Sequence, residues 1–295
     1  MKQLVFICVC LSSFTICAQS FNKEIEKGNK KVLLGKINQE ALSSKPYQEW
    51  FQENKDTYIP KVEVIAKIET ELPNYTITAF MGTWCGDSKR DIPKLYSVLE
   101  AAHFPLDRLT LVAVARDRDS YKQSPGGEHE GSNIHRVPTI VLYKNGVEVN
   151  RMIESPIESL EEDILNIMEG TYKSKHHLVT LTDHLLEKYG PNKLVKKGKR
   201  QLKKLKKEAD NPYQLNTYAN VLYFANQKES AIAILRLNSL LFPDKAVVFR
   251  NLGTKLARDN NLEEATTMFK KAIALEPDNQ KNIDALTQIQ AKLKK

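Results

Sequence analysis

The chain has few cysteines, glycines and prolines, and it has no long apolar run. Its 295 residues include 4 cysteines, 12 glycines and 12 prolines. This glycine and proline content excludes collagen-like and low-complexity proteins, and no apolar run reaches the roughly 18 residues of a membrane-spanning helix. With 41% hydrophobic and 27% charged residues, the composition is typical of a globular chain of about two domains.

Three of the four cysteines lie in the first eighteen residues. This segment opens with Met1 and Lys2, continues with an apolar stretch over residues 4–16, and ends on Ala18. That order predicts a secretory signal peptide over residues 1–18. We therefore expect an exported protein, either periplasmic or extracellular. An uncleaved anchor or a lipoprotein acylated at Cys17 or Cys10 is the alternative.

Cleavage after Ala18 would leave Cys85 as the only cysteine of the mature chain. The mature chain could then form no intramolecular disulfide, although an oxidising compartment would permit one.

Positive charge is concentrated in one segment. Residues 188–207 contain ten lysines and arginines and no acidic residue. Removing these ten charges from the formal net charge of +8 leaves −2 for the rest of the chain. The segment, part of a predicted basic linker over residues 171–211, is interpreted as a solvated helix that bridges two domains, with contact to an anionic membrane or an acidic partner as the alternative. We expect no nucleic-acid partner, because exported proteins rarely meet nucleic acid.

The first part of the chain shows an α/β order. Strand patterns fall at residues 75–81, 109–115, 139–143 and 147–153, and helical patterns fall at 45–54, 88–102 and 157–168. We expect Pro46 to lie in the first turn of its helix. The last two strands flank Asn145 and Gly146, a pair typical of a type I′ hairpin, so we expect a mixed sheet flanked by helices.

The last part, residues 212–295, is expected to be all-helical and contains a repeat. Pro243-Asp244 and Pro277-Asp278 lie 34 residues apart. Between them, small and large apolar residues recur at the offsets expected for a tetratricopeptide unit: Phe249, Leu252, Gly253, Leu256, Ala265, Phe269 and Ala272. The preceding unit is less faithful, with Asn238 where a small apolar residue is usual. Residues 279–293 are predicted to form the capping helix.

Cys85 lies where a predicted strand passes into a predicted helix. At that junction the free N–H groups and the positive end of the helix dipole favour a thiolate over a thiol. Lys89 would add to this effect if its side chain turned back. Cys85 is therefore a candidate nucleophile.

The residues around Cys85 resemble the thioredoxin family. The run from Trp84 to Lys89 is similar to the family motif Trp-Cys-Gly-Pro-Cys-Lys, with Ser88 in place of the second cysteine. Further matches lie at Pro93, Val137-Pro138-Thr139 and residues 142–146, and the predicted domain covers residues 30–170. The resemblance implies that Cys85 attacks a substrate disulfide and that Trp84, Val137 and Pro138 contact the substrate.

Two departures from the family imply a site with one thiol. Ser88 replaces the resolving cysteine, and Ala79 stands where the family has a buried aspartate. A mixed disulfide at Cys85 would then need an external thiol for its release, and protein thiols or disulfides are the expected partners. The alternative is a non-catalytic scaffold that binds peptides beside Pro138 and on the repeats.

Histidines near the site have two interpretations. His129 and His135 lie in a loop, residues 116–136, that is longer than in typical thioredoxins. Either ring could act as a base or counter-charge for Cys85, or both could be exposed loop residues. Their spacing matches no recognised metal motif, so we expect no metal and no cofactor. His176 and His177 are expected to have no role.

Overall fold

The structure, a computed structural model, describes residues 21–294. The predicted signal peptide, residues 1–18, lies outside these residues. Within the described range, none of the helices combines the length and apolar character needed to cross a membrane.

A mixed six-stranded sheet forms the first part of the protein. Its strands are β1 (Lys23–Lys27), β2 (Lys30–Ile37), β3 (Tyr75–Met81), β4 (Leu109–Ala113), β5 (Thr139–Lys144) and β6 (Val147–Ile153). Their order across the sheet is β1-β2-β4-β3-β5-β6, with β3 and β4 parallel and the other neighbours antiparallel. The four strands predicted from the sequence are present. The sheet also begins earlier than residue 30, because β1 pairs with β2 as its edge strand.

The predicted turn between β5 and β6 is confirmed. Asn145 and Gly146 both have positive φ, 53° and 76°, which a type I′ turn requires and which these two residue types tolerate.

Five helices accompany the sheet: α1 (Gln39–Leu42), α2 (Gln48–Asp56), α3 (Val62–Ile68), α4 (Gly86–Ala101) and α5 (Leu160–Met168). The placement of Pro46 in the first turn of a helix is wrong, because α2 begins at Gln48 and a turn closed on the Ser44 carbonyl precedes it. The helix predicted from residue 157 also begins later, at Leu160. Ser159 is its N-cap, and the Ser159 side chain accepts the Glu162 N–H.

The two faces of the sheet bury different clusters. Along β3, Ile77, Ala79 and Met81 point into the large core shared with α2, α4 and α5. Phe80 points to the other face and joins a smaller cluster with Val112, Val114, Ile134, Val137 and Val141. Trp84 and Cys85 pack against this smaller cluster.

The second part of the protein is all-helical. Its helices are α6 (His177–Tyr189), α7 (Pro191–Arg200), α8 (Leu202–Lys206), α9 (Tyr213–Phe224), α10 (Lys228–Leu241), α11 (Ala246–Arg258), α12 (Leu262–Leu275) and α13 (Gln280–Leu293). The predicted order of an α/β part followed by an all-helical part is confirmed.

The basic segment belongs to this helical part and is not a solvated bridge. It spans α7 and α8, and α7 packs on α10. Leu194 and Leu205 are buried, and a Cβ added at Gly198 would lie 2.7 Å from Leu237. The apolar side of α7 therefore meets the core at close range, while its lysines face outward.

Helices α9 to α12 pack as two pairs, α9 on α10 and α11 on α12. Gly253 permits the second contact, because a Cβ there would lie 2.9 Å from the Phe269 ring. The unusual Asn238 is fully buried, and its Nδ2 donates to the Pro212 carbonyl at 2.9 Å and to Asn216 Oδ1 at 3.1 Å. Hydrogen bonds thus replace the small apolar residue expected at this position.

Candidate functional site around Cys85

Cys85 is the N-cap of α4 and the only cysteine of the described residues. Its N–H donates to the Gly82 carbonyl at 2.8 Å, and its carbonyl accepts the Lys89 N–H at 3.1 Å. These bonds close the turn between β3 and α4 and hold the half-buried thiol at the positive end of the helix.

Val137 provides the nearest polar partner of the thiol. Cys85 Sγ lies 3.3 Å from the Val137 carbonyl oxygen, to which the thiol donates. The Val137–Pro138 peptide bond is cis. The Pro138 carbonyl accepts the Glu154 N–H at 2.8 Å, and proline has no N–H. Of this predicted pair, only Val137 has an N–H group, and its carbonyl is the one that meets the thiol.

The Trp84 side chain covers the smaller cluster next to the thiol. Its Nε1 donates to the Val114 carbonyl at 2.9 Å. A Cβ on Gly82 would lie 2.5 Å from the Trp84 ring, so only glycine leaves room for the indole at this position. Trp84, Cys85 and Val137, which the sequence analysis names as site residues, therefore lie around one cluster.

Lys122 is a component of the site that sequence reasoning missed. It is 6% exposed, and its ammonium nitrogen lies 4.4 Å from the centre of the Trp84 ring. Its backbone is held by an N–H bond to the Ala115 carbonyl at 3.0 Å. A single lysine in a polar loop carries no pattern that predicts such burial.

The electrostatic environment of Lys122 is unusual. Burial lowers its pKa to about 8, and the nearby charges of Arg136 and Arg116 act in the same direction. A negative charge on Cys85 raises the pKa of Lys122, opposing the effect of burial. The charge state of Lys122 therefore depends on burial and on the charged groups around it, of which Cys85 is one.

Ser88 fills the position of the missing second cysteine. It is fully buried, and its Oγ accepts the Gly82 N–H at 3.2 Å. The hydroxyl therefore stabilises the turn that carries Cys85.

The remaining charges of the helix start are directed away from the thiol. The Arg90 guanidinium binds Asp87 at 2.9 Å and Asp91 at 2.7 Å, and these carboxylates raise its pKa. Lys89 points toward the Trp50 ring, with its nitrogen 5.8 Å from the ring centre. Lys122, and not Lys89, is therefore the lysine whose ammonium group lies over the Trp84 ring.

The histidines occupy other places than expected. His129 is half-buried, and its Nδ1 accepts the Ser124 N–H at 3.1 Å. His135 is buried between His176 and Tyr218, at ring-centre distances of 5.4 and 5.9 Å. The interpretation of His135 as an exposed loop residue is therefore wrong.

His176 is also structured. It is buried, and its Nε2 lies 3.1 Å from a carboxylate oxygen of Glu154. Together with His135 and Tyr218, His176 packs between the sheet and the helical part. His176 therefore has a packing role, contrary to the expectation that it has none.

In the part of the chain that the structure describes, no group of three or more histidine, cysteine, aspartate or glutamate side chains is arranged to hold a metal ion. The site instead combines one thiol at a helix N-terminus, one backbone carbonyl, one indole and one buried amine. Such an arrangement is suited to nucleophilic sulfur chemistry. Comparison of the sequence with protein-family models found no match, and comparison with curated proteins also found none.

Proposed function

We propose that the first part of the protein has a thioredoxin-like fold and that Cys85 is the nucleophile of a thiol–disulfide exchange. The support is the order of the motifs along the sheet. The Cys85 turn follows the central strand β3, and the Val137–Pro138 bond immediately precedes β5, its antiparallel neighbour. The contact between Cys85 Sγ and the Val137 carbonyl carries the proposal.

The chemical step uses the thiolate form of Cys85. Its sulfur attacks one sulfur of a substrate disulfide and forms a new S–S bond, while the old S–S bond breaks and the other substrate sulfur leaves as a thiolate that takes a proton from solvent. Ionisation also removes the thiol proton that Val137 accepts. The Val137 carbonyl then becomes free to accept an N–H from an extended substrate backbone.

Release of the mixed disulfide requires a second thiol. Ser88 cannot attack the S–S bond as a cysteine would, and Ala79 provides no proton acceptor. An external thiol, as its thiolate, attacks the substrate sulfur, forms a disulfide with it and expels the Cys85 thiolate. The cycle therefore exchanges partners of a disulfide without net oxidation of this protein.

Lys122 acts as a positioning residue in this scheme. While its amine is protonated it favours the thiolate of Cys85, since opposite charges attract strongly in a partly dehydrated site. The Trp84 ring holds the ammonium group of Lys122 beside the residue that precedes Cys85.

For the helical part, we propose two tetratricopeptide units, α9–α10 and α11–α12, with α13 as the capping helix. The 34-residue spacing and the tight contact of Gly253 with Phe269 support this assignment. Residues 1–18 are proposed to be a cleaved signal peptide, which would place the protein in the periplasm or outside the cell. The intact mass of the protein from its native source tests this cleavage.

Reaction with a peptide disulfide tests the proposed chemistry. The reduced protein is mixed with a peptide that carries a 2-thiopyridyl disulfide, and the intact mass is recorded. We expect one peptide adduct on the protein and none on Cys85→Ala, with release of the peptide only after a free thiol is added. Absence of an adduct, under conditions in which free cysteine reacts, would leave the peptide-binding scaffold as the function.

A further inference from the structure

The basic segment, residues 188–207, presents its charges on the outside of the helical part. Leu194, Gly198 and Leu205 are buried, and α7 packs on α10. Nine of the ten cationic side chains are exposed, and the tenth, Lys197, is half-buried. The side of α7 and α8 that is not packed is therefore a surface of cations. Its members are Lys188, Lys193, Lys196, Lys197, Lys199, Arg200, Lys203, Lys204, Lys206 and Lys207.

The charge of this surface is not paired. Among the ion pairs found within residues 21–294, none involves any of the ten cations. Acidic residues stand only at its borders in the sequence: Glu187 precedes the segment, and Glu208 follows it and pairs with Lys173 at 2.8 Å. Ten cations without ion pairs create a concentrated positive potential.

The stability of the helices does not explain this concentration of charge. Lys193 lies in the first turn of α7, where the positive end of the helix dipole disfavours a cation. Lys196 lies three residues from both Lys193 and Lys199 and four from Arg200. Like charges at these spacings destabilise a helix. Folding would therefore favour fewer cations, which points to a role in binding.

The segment lacks the features by which a protein or a nucleic acid is recognised. None of the large apolar side chains that are exposed within residues 21–294 belongs to it, whereas stable protein interfaces have an apolar or aromatic centre. Its aromatic ring, Tyr189, is half-buried and lies 5.5 and 4.8 Å from the nitrogens of Lys188 and Lys197. The segment therefore has no fully exposed ring on which bases would stack.

The choice of cation fits a fluid anionic surface. Nine of the ten cations are lysines. Arginine forms bidentate pairs with individual phosphates and carboxylates, whereas lysine acts as a hydrated point charge on a flexible stem. Clusters of such charges are attracted to membranes that carry anionic lipids, and each lysine near the surface adds to the affinity. We infer that the basic segment binds the surface of a membrane that contains anionic lipids.

This binding is electrostatic and involves no insertion into the bilayer. An amphipathic helix enters a bilayer with its apolar face, but Leu194 and Leu205 are buried in the core of the helical part. The contact therefore weakens with added salt, which screens charges over about 10 Å at 0.1 M. No residue of the segment belongs to the site around Cys85, so the binding is independent of the proposed sulfur chemistry.

Flotation with lipid vesicles measures this binding. The full chain is mixed with vesicles of phosphatidylcholine that contain about 30% phosphatidylglycerol, or with vesicles of phosphatidylcholine alone, at about 0.1 M salt. We expect at least about tenfold stronger partitioning to the anionic vesicles and release from them at about 0.5 M salt. The phosphatidylcholine vesicles also measure any binding by the apolar residues 4–16, which every variant shares.

Three exposed lysines of the segment provide the variant. The triple substitution Lys196→Gln, Lys199→Gln, Lys203→Gln should weaken partitioning to the anionic vesicles by at least about tenfold, since each lost charge lowers the affinity. The triple substitution Lys196→Arg, Lys199→Arg, Lys203→Arg keeps the charge and should keep the binding. Circular dichroism of each variant verifies the fold.

Three exposed lysines outside the segment provide the matched control. The triple substitution Lys67→Gln, Lys270→Gln, Lys281→Gln changes the net charge by the same amount. These lysines form none of the ion pairs of the described residues. Their loss should change the partitioning by less than about twofold, because they lie outside the charged surface.

Four results would overturn the inference: equal partitioning to the two kinds of vesicle, equal losses in the two triple glutamine variants, loss of binding in the arginine variant, or binding that survives about 0.5 M salt. A competition experiment tests the other class of partner. Release of the protein from the vesicles by a DNA duplex, added at fewer phosphates than accessible phosphatidylglycerol headgroups, would make the segment a nucleic-acid surface and would also overturn the inference.

Discussion

The Lys122 ammonium lies over the Trp84 ring, 4.4 Å from its centre, on the indole that packs beside Cys85. A cation held over an aromatic face and largely removed from water keeps its charge only with help from a nearby negative group. The negative charges of Cys85 and Glu154 both raise the pKa of Lys122 against the effect of burial.

Replacement of Lys122 by methionine is expected to slow the alkylation of Cys85. At pH 7 the loss of the cation should lower the rate with iodoacetamide by about threefold to tenfold. Because the pKa of Lys122 is about 8, the amine of the wild type loses its charge as the pH rises through that value. The difference between the two proteins should then shrink.

Mass spectrometry of the alkylated protein over a range of pH gives both rates. Lys89→Met is the control, since the Lys89 nitrogen lies toward Trp50, and its rate should stay within about twofold of the wild type. Equal effects of the two substitutions would show that overall charge, and not the position of Lys122, sets the reactivity.

Ser88→Cys should convert the site to a dithiol. The new thiol would lie three residues after Cys85 on the first turn of α4, the position from which an attack on the Cys85 mixed disulfide is intramolecular. We expect the peptide adduct to release its thiol without added reductant, with an internal disulfide as the product.

Ser88→Ala is the matched control for this change. It removes the acceptor of the Gly82 N–H and should lower the free energy of unfolding by about 1 kcal/mol, while the adduct remains stable. An adduct that persists on the folded Ser88→Cys protein would contradict the proposed geometry.

Gly82→Ala should destabilise the protein. The added methyl group would lie 2.5 Å from the Trp84 ring, so the indole must move, and overpacking of this kind costs about 1–3 kcal/mol. Urea denaturation followed by tryptophan fluorescence measures this loss. Gly86→Ala is the matched control, because a Cβ there meets nothing within 4 Å, and it should be neutral or stabilising. Equal stability of the two variants would argue against the close approach of Trp84.

The stability of the protein should fall in mild acid through His135. Burial lowers the pKa of His135 well below its ordinary value, and the positive charges of His176 and Arg136 add to this effect. An unfolded histidine has a pKa of about 6.5. As the pH falls through that value, the unfolded chain binds a proton that the folded protein does not, so the folded state loses stability.

The substitution His135→Phe removes the titrating ring while it keeps an aromatic ring beside His176 and Tyr218. The urea midpoint of this variant should decline less steeply between about pH 7 and pH 5 than that of the wild type. Parallel declines would show that other groups are responsible.

The sequence was most informative where runs of strand-forming apolar residues end at turn residues, and where apolar residues recur at helical spacing. Strands β3 to β6 and helix α4 were predictable for these reasons. In β1 only Ile25 is even partly buried, so this edge strand has no apolar pattern. The prediction that the basic segment is a solvated bridge was wrong because its ten charged residues far outnumber its buried positions, Leu194, Gly198 and Leu205. The burial of these three depends on contact with α10.

Only the parts of the candidate site that are set by neighbouring residues or by a recognised motif could be predicted from the sequence. Cys85 follows from the strand-to-helix junction, whereas Trp84 and Val137 follow from the family resemblance. The placement of Lys122 and of His135 depends on how the loop over residues 116–136 packs against Trp84 and α9. Contacts between segments so distant in the sequence leave no periodic signal.

Isolation of mixed disulfides from the native compartment is the most direct test of thiol–disulfide exchange at Cys85. Cells that express the protein or Cys85→Ala are quenched with acid and alkylated, and the protein is recovered under non-reducing conditions. We expect partner proteins that are linked to the wild type through Cys85, are released by reductant and are missing from Cys85→Ala. Identical recovery from the two proteins would contradict it.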